Sequence, residues 1–347
     1  MTAFTAGMIY ATDYASISSG GIQSFIRAIC RSAPEDIGIA YYGIGKPPQG
    51  LLRKQDCFYG LLPAPPAHGP VNLTFVRELR RHREMLATAS VLLLHRAEHQ
   101  LAVPRSCRSL LTLHGGTYFA ARAGVSPFAL TYPLVESLAI SRATSVLSVA
   151  PDHHSALARA TGTITPITTC YDDSVFTASA LPPAARLITV SRLASEKRVH
   201  LAIDAARELD WPITIVGDGP EMSSLVERAK SQNVRASFTG RLSAQQISHL
   251  YSTQPGVFVM TSKFEGFPVA LLEAAGSGLP VAAMVAPGLR QAMALIGGHL
   301  APSSAELPAA CTSAQQQGNL LSAAQVQVRF GISAVAAGYW QIVRDLA

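Results

Sequence analysis

GVFVMTSKFEGFPVALLEAAGSGLPVAAMV, residues Gly256 to Val285, decides the fold class. Gly256–Met260 and Pro280–Val285 are short apolar runs of strand length, and the segment between them turns helical near Pro268. Proline is favoured in a first helical turn, where its missing N–H costs nothing. Strand, loop, helix and strand in that order make a βαβ unit, and such a unit requires parallel strands. Glu265 then falls in the loop before the helix, and Glu273 on the helix with its side chain leaning back toward the start.

The same alternation extends in both directions. Downstream of the middle, strands are expected at Arg186–Val190, Ile213–Val216 and Ala236–Thr239. In the first half they are expected at Gly7–Ala11, Ile37–Tyr42, Val91–His95, Ser109–His114, Thr144–Val149 and Ile164–Thr169, with helices at Gly21–Arg31, Val71–Leu86 and Pro127–Ser141. The chain is therefore of α/β class twice over. A polar, proline-containing passage, Asp172–Pro183, interrupts the pattern as an interdomain linker would. We expect an N-terminal domain over 1–175, a C-terminal domain over 176–330, and an amphipathic helix over 331–347 that packs back on the first domain.

Composition fits that division. A chain of 347 residues exceeds the roughly 250 to 300 at which one core stops growing. With 48% apolar and 14% charged residues it can bury two cores and is not extensively disordered. No apolar run reaches the roughly 18 to 20 residues of a spanning helix. The N-terminus MTAFTAGMIYATDY has no signal-peptide pattern, which makes the cytoplasm the expected compartment. Five scattered cysteines suggest neither a disulfide framework nor a zinc site. The net charge of +6 favours anionic partners, whether nucleotides, lipid surfaces or nucleic acid. The most basic run, VRELRRHREML, carries Arg77, Arg80, Arg81 and Arg83, and reads either as a solvated helix face or as a contact with an anionic membrane.

Four loops carry residues suited to chemistry. Backbone N–H groups near Gly266, Phe267 and Val269 surround the positive end of the helix that opens at Pro268, where a phosphate or hydroxyl groups can bind. Arg192 and Lys197, in TVSRLASEKRVH, follow a strand and can neutralise a diphosphate. Gly217 in IVGDGPE makes a sharp turn that serves a ligand or only the chain reversal. Gly20 and Gly21 in SSGGIQSFI allow close approach of a phosphate at a helix start, or form a tight turn. His114 ends a strand in LLTLHGG; His95 is a weaker version of the same pattern, and His153 and His154 read as loop residues.

Two glutamates separated by seven residues as EGFPVALLE, ahead of a small-residue run and GLPV, resemble the signature of the retaining family 4 glycosyltransferases. The resemblance implies a GT-B fold, two Rossmann-like βαβ domains facing across a cleft, with the acceptor bound by the first and the donor by the second. It implies that Glu265 contacts the transferred sugar, that Glu273 receives the ribose hydroxyls, and that Arg192 and Lys197 hold the diphosphate. By the same resemblance His114 orients the sugar and Gly240, Arg241 and Leu242 of SFTGRLS line the nucleobase. The implied donor is a nucleoside-diphosphate sugar, UDP- or GDP-linked, and the acceptor a hydroxyl of a glycan, glycolipid or small glycoside. No nucleic acid is expected as partner. No cofactor is expected, and no metal, because the chain contains no Asp-any-Asp triplet. The alternatives are a nucleotide-sugar epimerase or a binding subunit without turnover. Two stretches depart from the family pattern: Thr169-Cys170-Tyr171-Asp172 at the domain junction, although Phe176 is retained, and APGLRQAM, which lacks the usual paired glycines and glutamate.

Overall fold

The computed structural model describes residues 4–13, 20–47, 52–66, 71–115, 130–149, 164–166 and 169–347. The chain divides into two compact units. Unit 1 comprises Met1–Ser16, Ile26–Thr168 and Ala336–Ala347; unit 2 comprises Ile17–Phe25 and Thr169–Val335. His153, His154 and residues 127–129 of the expected third helix lie outside the described residues.

Unit 1 is built on seven strands, β1 (Phe4–Asp13), β2 (Ile37–Ile44), β3 (Cys57–Leu62), β4 (Val91–Leu94), β5 (Ser109–Leu113), β6 (Ser145–Ser148) and β7 (Ile164–Pro166). They form one sheet in the order β3-β2-β1-β4-β5-β6-β7. Every neighbouring pair is parallel, with Met8 opposite both Tyr41 of β2 and Leu93 of β4. Strands β2, β4 and β5 are buried along their whole length, as strands covered on both faces must be. The helices are α1 (Gly21–Arg31), α2 (Val71–Arg81), α3 (Arg83–Leu86), α4 (Ala97–Gln100) and α5 (Tyr132–Arg142). The single helix expected over Val71–Leu86 is broken at His82, whose backbone leaves helical geometry at φ −104° and ψ 24°.

Unit 2 repeats the plan with β8 (Leu187–Val190), β9 (Ile213–Val216), β10 (Ala236–Gly240), β11 (Val257–Met260), β12 (Val281–Met284) and β13 (His299–Ala301). Their order, β10-β9-β8-β11-β12-β13, is again parallel throughout. Successive residues serve opposite layers: Phe258 and Met260 enter one core, Val257 and Val259 the other. Full burial of such a side chain contributes roughly 1.5–3 kcal/mol. The helices are α6 (Val199–Leu209), α7 (Met222–Ser231), α8 (Ala244–Thr253), α9 (Val269–Gly276), α10 (Leu289–Ile296), α11 (Leu307–Gln317) and α12 (Ala323–Phe330). In both units the strand order reverses beside the first strand, and the C-terminal strand ends there are where open parallel sheets bind ligands.

Two strands, β3 and β13, have no counterpart in the sequence pattern. Each lies at the edge of its sheet, and β3 is mostly half-exposed and contains Gly60, so neither forms a continuous apolar run. The last helix, α13 (Ile332–Leu346), clusters with unit 1 from Ala336 onward. There the buried Trp340 indole donates to the Ile29 carbonyl at 3.3 Å, and Arg344 pairs with Asp36 at 2.9 Å. Residues 172–183 are packed into unit 2, with Phe176 buried and the Ser179 amide donating to the Ser277 carbonyl. Among the described residues no helix is long and apolar enough to cross a membrane.

Candidate functional site

The loops that leave β8, β9, β10 and β11 surround a cavity of about 580 Å³ within unit 2. Arg192, Lys197, Gly217, Arg241, Leu242, Glu265, Phe267, Pro268, Val269 and Glu273 line it, together with Gly20 and Gly21, which cluster with the same unit. Gly240 and Gly266 belong to the same loops without lining the cavity, and His114 belongs to unit 1.

Backbone contact fixes the first two loops against each other. Gly217 has φ +135°, and a Cβ there would lie 1.8 Å from the Ser191 carbonyl oxygen. A Cβ on Gly219 would meet the Leu193 carbonyl at 2.3 Å. The Leu193 amide donates to the Asp218 carbonyl, and the Glu221 amide to that of Leu193. Glycine at 217 is therefore a requirement of packing and of backbone geometry together, whatever else it serves. The Gly217 amide donates to the Gly240 carbonyl, tying in the third loop, and Arg241 faces Asp218 at 3.6 Å.

Lys197 closes a short 3-10 turn, Ser195–Lys197, and Arg198 follows it in the left-handed region at φ 48°. Arg198 is more than a surface charge at a helix start. Its guanidinium donates to the carbonyls of Thr261 at 2.8 Å and Ser262 at 3.0 Å, while the Thr261 hydroxyl donates back to the Lys197 carbonyl. Desolvation lowers the Arg198 pKa, as expected of a cation pressed against protein. Arg198 thus joins the turn bearing Lys197 to the loop bearing Glu265. Nothing local in the sequence announces this, because the acceptors lie more than sixty residues away.

The Lys197 ammonium and the Glu265 carboxylate form an ion pair at 2.6 Å, and the Ser262 hydroxyl donates to the same carboxylate oxygen. Gly288 at φ +76° lets the APGLR loop lie on this segment: a Cβ there would sit 2.1 Å from the Glu265 carbonyl oxygen, and the Glu265 amide donates to Pro287. The departure from the usual loop thus accompanies direct packing on Glu265. Pro268 is the residue before the first turn of α9 rather than within it, in extended geometry and with no side-chain cap. Glu273, four residues into the helix, is buried, and burial followed by the nearby Asp172 charge pushes its carboxyl up to about 8. Phe176 lines the cavity and packs on Tyr251, while Asp172 accepts from Ser174 and shapes the altered junction.

In unit 1, His114 directly follows β5, and its Nε2 lies 3.0 Å from Nδ1 of the buried His95. Burial holds His114 down to about 3, with Arg96 adding to the effect, and holds His95 well below the usual imidazole range. Both rings are therefore neutral, and one proton bridges them. The two rings directly follow adjacent strands, β4 and β5. Among the described residues no three His, Cys, Asp or Glu side chains converge to hold a metal ion.

The topology is that of the GT-B glycosyltransferase fold. Solved structures that share it include sucrose-phosphate synthase from Thermosynechococcus elongatus (TM-score 0.78, 19% identity, 99% of both chains). A second is Anabaena HepE in complex with UDP and glucose (TM-score 0.73, 15% identity, 99% of this chain and 100% of that one). Residues 179–301, which hold most of the cavity, match the family Glycosyl transferases group 1. Similar curated proteins include the amylovoran biosynthesis glycosyltransferase AmsD of Erwinia amylovora, 34% identical over 101 residues, 28% of this chain and 28% of that protein. A GDP-mannose-dependent alpha-mannosyltransferase of Mycolicibacterium smegmatis is 42% identical over 108 residues, 30% of this chain and 27% of its own length. The match thus spans little more than a quarter of each relative.

Proposed function

We propose that the chain is a retaining, metal-independent glycosyltransferase that moves a sugar from a UDP- or GDP-sugar to a hydroxyl acceptor. The observation that carries this reading is the convergence of two cations, Arg192 and Lys197, and two carboxylates, Glu265 and Glu273, on one cavity at the start of α9. A departing diphosphate gains charge as its bond to the sugar breaks, and preorganised cations together with a helix N-terminus compensate it without reorganisation. The family match over residues 179–301 and the UDP held by the Anabaena protein support the same donor class.

In this mechanism the bond from the anomeric carbon to the diphosphate oxygen breaks while the bond to the acceptor oxygen forms on the same face. The acceptor proton passes to the released phosphate oxygen, so no separate base is needed. Glu273 receives the ribose hydroxyls, and Glu265 the sugar hydroxyls once Lys197 turns to the diphosphate. Acceptor binding is assigned to unit 1, the unit to which His114 belongs. The test is nucleoside-diphosphate release from a panel of UDP- and GDP-sugars in EDTA, followed by proton NMR of the product linkage. Release from none of them, inversion of configuration, or activity restored only by magnesium or manganese overturns the proposal.

A further inference from the structure

A second cavity, of about 570 Å³, lies in unit 1 and has no role in the reaction proposed above. Leu73, Val76, Leu101 and Val135 supply its apolar wall, and Arg77, Arg80 and Arg81 its charge. The helices α2, α4 and α5 contribute these residues, with Leu101 directly after α4. Arg81 is paired with Glu78, and Glu98 at the cavity is paired with Arg96. Arg77 and Arg80 are exposed and have no ion-pair partner among the described residues. They are three residues apart on α2, which sets them side by side on the helix surface.

Exposed apolar side chains concentrate on the elements that line this cavity. Of the eight large hydrophobic side chains exposed among the described residues, Leu73, Leu130, Leu134 and Leu138 belong to α2, α5 or the turn leading into α5. Exposed apolar side chains on two helices that line one cavity with uncompensated cations mark a surface that something amphiphilic and anionic covers.

We propose that this face docks on a bilayer of anionic phospholipid. A headgroup phosphate sits between Arg77 and Arg80, the first methylenes of an acyl chain lie against Leu73, Val76, Leu101 and Val135, and Leu134 and Leu138 enter the interface beside them. Charge and apolar surface together select this occupant. A second copy of the chain meeting this face through a two-fold axis brings arginines against arginines. A free phosphate or a nucleic acid satisfies the arginines and leaves the leucines in water.

Co-flotation with vesicles of roughly one-third phosphatidylglycerol in phosphatidylcholine tests the proposal without any need for turnover. The protein is expected to float with these vesicles, to stay behind with pure phosphatidylcholine, and to be released as salt rises from roughly 0.1 M to 0.5 M. Arg77→Gln with Arg80→Gln is expected to lower partition about 25-fold, roughly fivefold per arginine. Leu73→Ser with Leu134→Ser is expected to lower it further at constant charge. Arg235→Gln with Arg329→Gln in unit 2 removes the same charge elsewhere and is expected to leave partition at the parental level. Thermal melting of each variant establishes that it is folded. Failure of the parent to float overturns the proposal, as does equal loss in the unit 2 control. Displacement by inorganic phosphate alone, with the leucine variant unaffected, also overturns it and identifies a site for free phosphate.

Discussion

Lys197 is neutralised by Glu265, their charged groups 2.6 Å apart, so the cation assigned to the donor diphosphate is held by the carboxylate assigned to the donor sugar. Binding must exchange one partner for the other. Glu265→Gln is expected to release Lys197 and tighten binding of bare UDP or GDP, roughly three- to tenfold, because half-exposed pairs of this kind are worth about 1 kcal/mol. Turnover is expected to fall in the same variant, since the sugar loses its acceptor. Lys197→Ala is expected to lower kcat by roughly 3 kcal/mol, or about a hundredfold or more. Calorimetric titration of both variants with nucleoside diphosphates, beside steady-state kinetics, checks the exchange; weaker binding in Glu265→Gln removes it.

Glu273 makes opposite demands on binding and stability. Its carboxyl is raised to about 8 from an ordinary 4.5, so the folded protein keeps the proton after the unfolded chain has lost it. The sign follows: the contribution to stability is complete below about 4.5 and is progressively lost as pH rises to about 8. Glu273→Gln has no proton to lose and is expected to melt higher than the parent, by a margin that widens from pH 5 to pH 8. A shift of a few degrees is expected, at about 2–4 °C per kcal/mol for a protein of this size. If Glu273 takes the ribose hydroxyls as proposed, binding must draw that proton off, and the donor KM of Glu273→Gln is expected to rise ten- to a hundredfold. Melting curves across pH test the first part; a margin that does not change with pH contradicts it.

The glycines separate packing from ligand approach. Gly217→Ala meets both a forbidden backbone region and the Ser191 carbonyl, and is expected to cost roughly 2–4 kcal/mol of stability. Gly240, at φ +69° with open space around it, is expected to cost about 1 kcal/mol. Gly20 has nothing within 4 Å and Gly21 only an ordinary contact with Val269, so alanine at either is expected to leave melting unchanged. If both glycines serve a phosphate, donor affinity falls in those variants while stability holds. Unchanged affinity leaves them as turn residues.

What the sequence makes legible follows from what each residue depends on. Arg192, Lys197, Gly217 and Glu265 lie in loops that follow strands, and Glu273 in the helix that follows one of those loops; parallel order alone carries such positions to one end of the sheet. Arg198 is different, since its position depends on a left-handed backbone and on carbonyls of a distant loop, neither of which leaves a local pattern. The break at His82 is equally silent, because the surrounding residues all favour a helix. The exposed leucines of α5 escape notice for another reason: only folding decides which apolar residues remain uncovered.

The His95–His114 pair yields the last prediction. Two imidazoles 3.0 Å apart, His95 buried and His114 half-buried, cannot both be cationic, and His114 is held to about 3 by desolvation and by Arg96, with the buried His99 also at about 3. In the unfolded chain each titrates near 6.5. Because the folded state resists protonation, stability is full above 6.5 and is lost as pH falls toward the folded values, at up to about 1.4 kcal/mol per pH unit for each histidine. Acid is therefore expected to unfold the protein before it titrates these rings, and His99→Phe is expected to flatten the fall. Long-range proton–nitrogen NMR of imidazole-labelled protein reads the rings directly. Between pH 7 and 5 both are expected to keep the nitrogen shifts of neutral tautomers, with a fixed assignment of the bridging proton. In His95→Phe the His114 tautomer is expected to become mixed and, if His114 orients the sugar as proposed, kcat to fall more than donor KM rises. A titration of His114 near 6.5 in the parent, or an unchanged tautomer in the variant, removes His95 as the group that sets the orientation of His114.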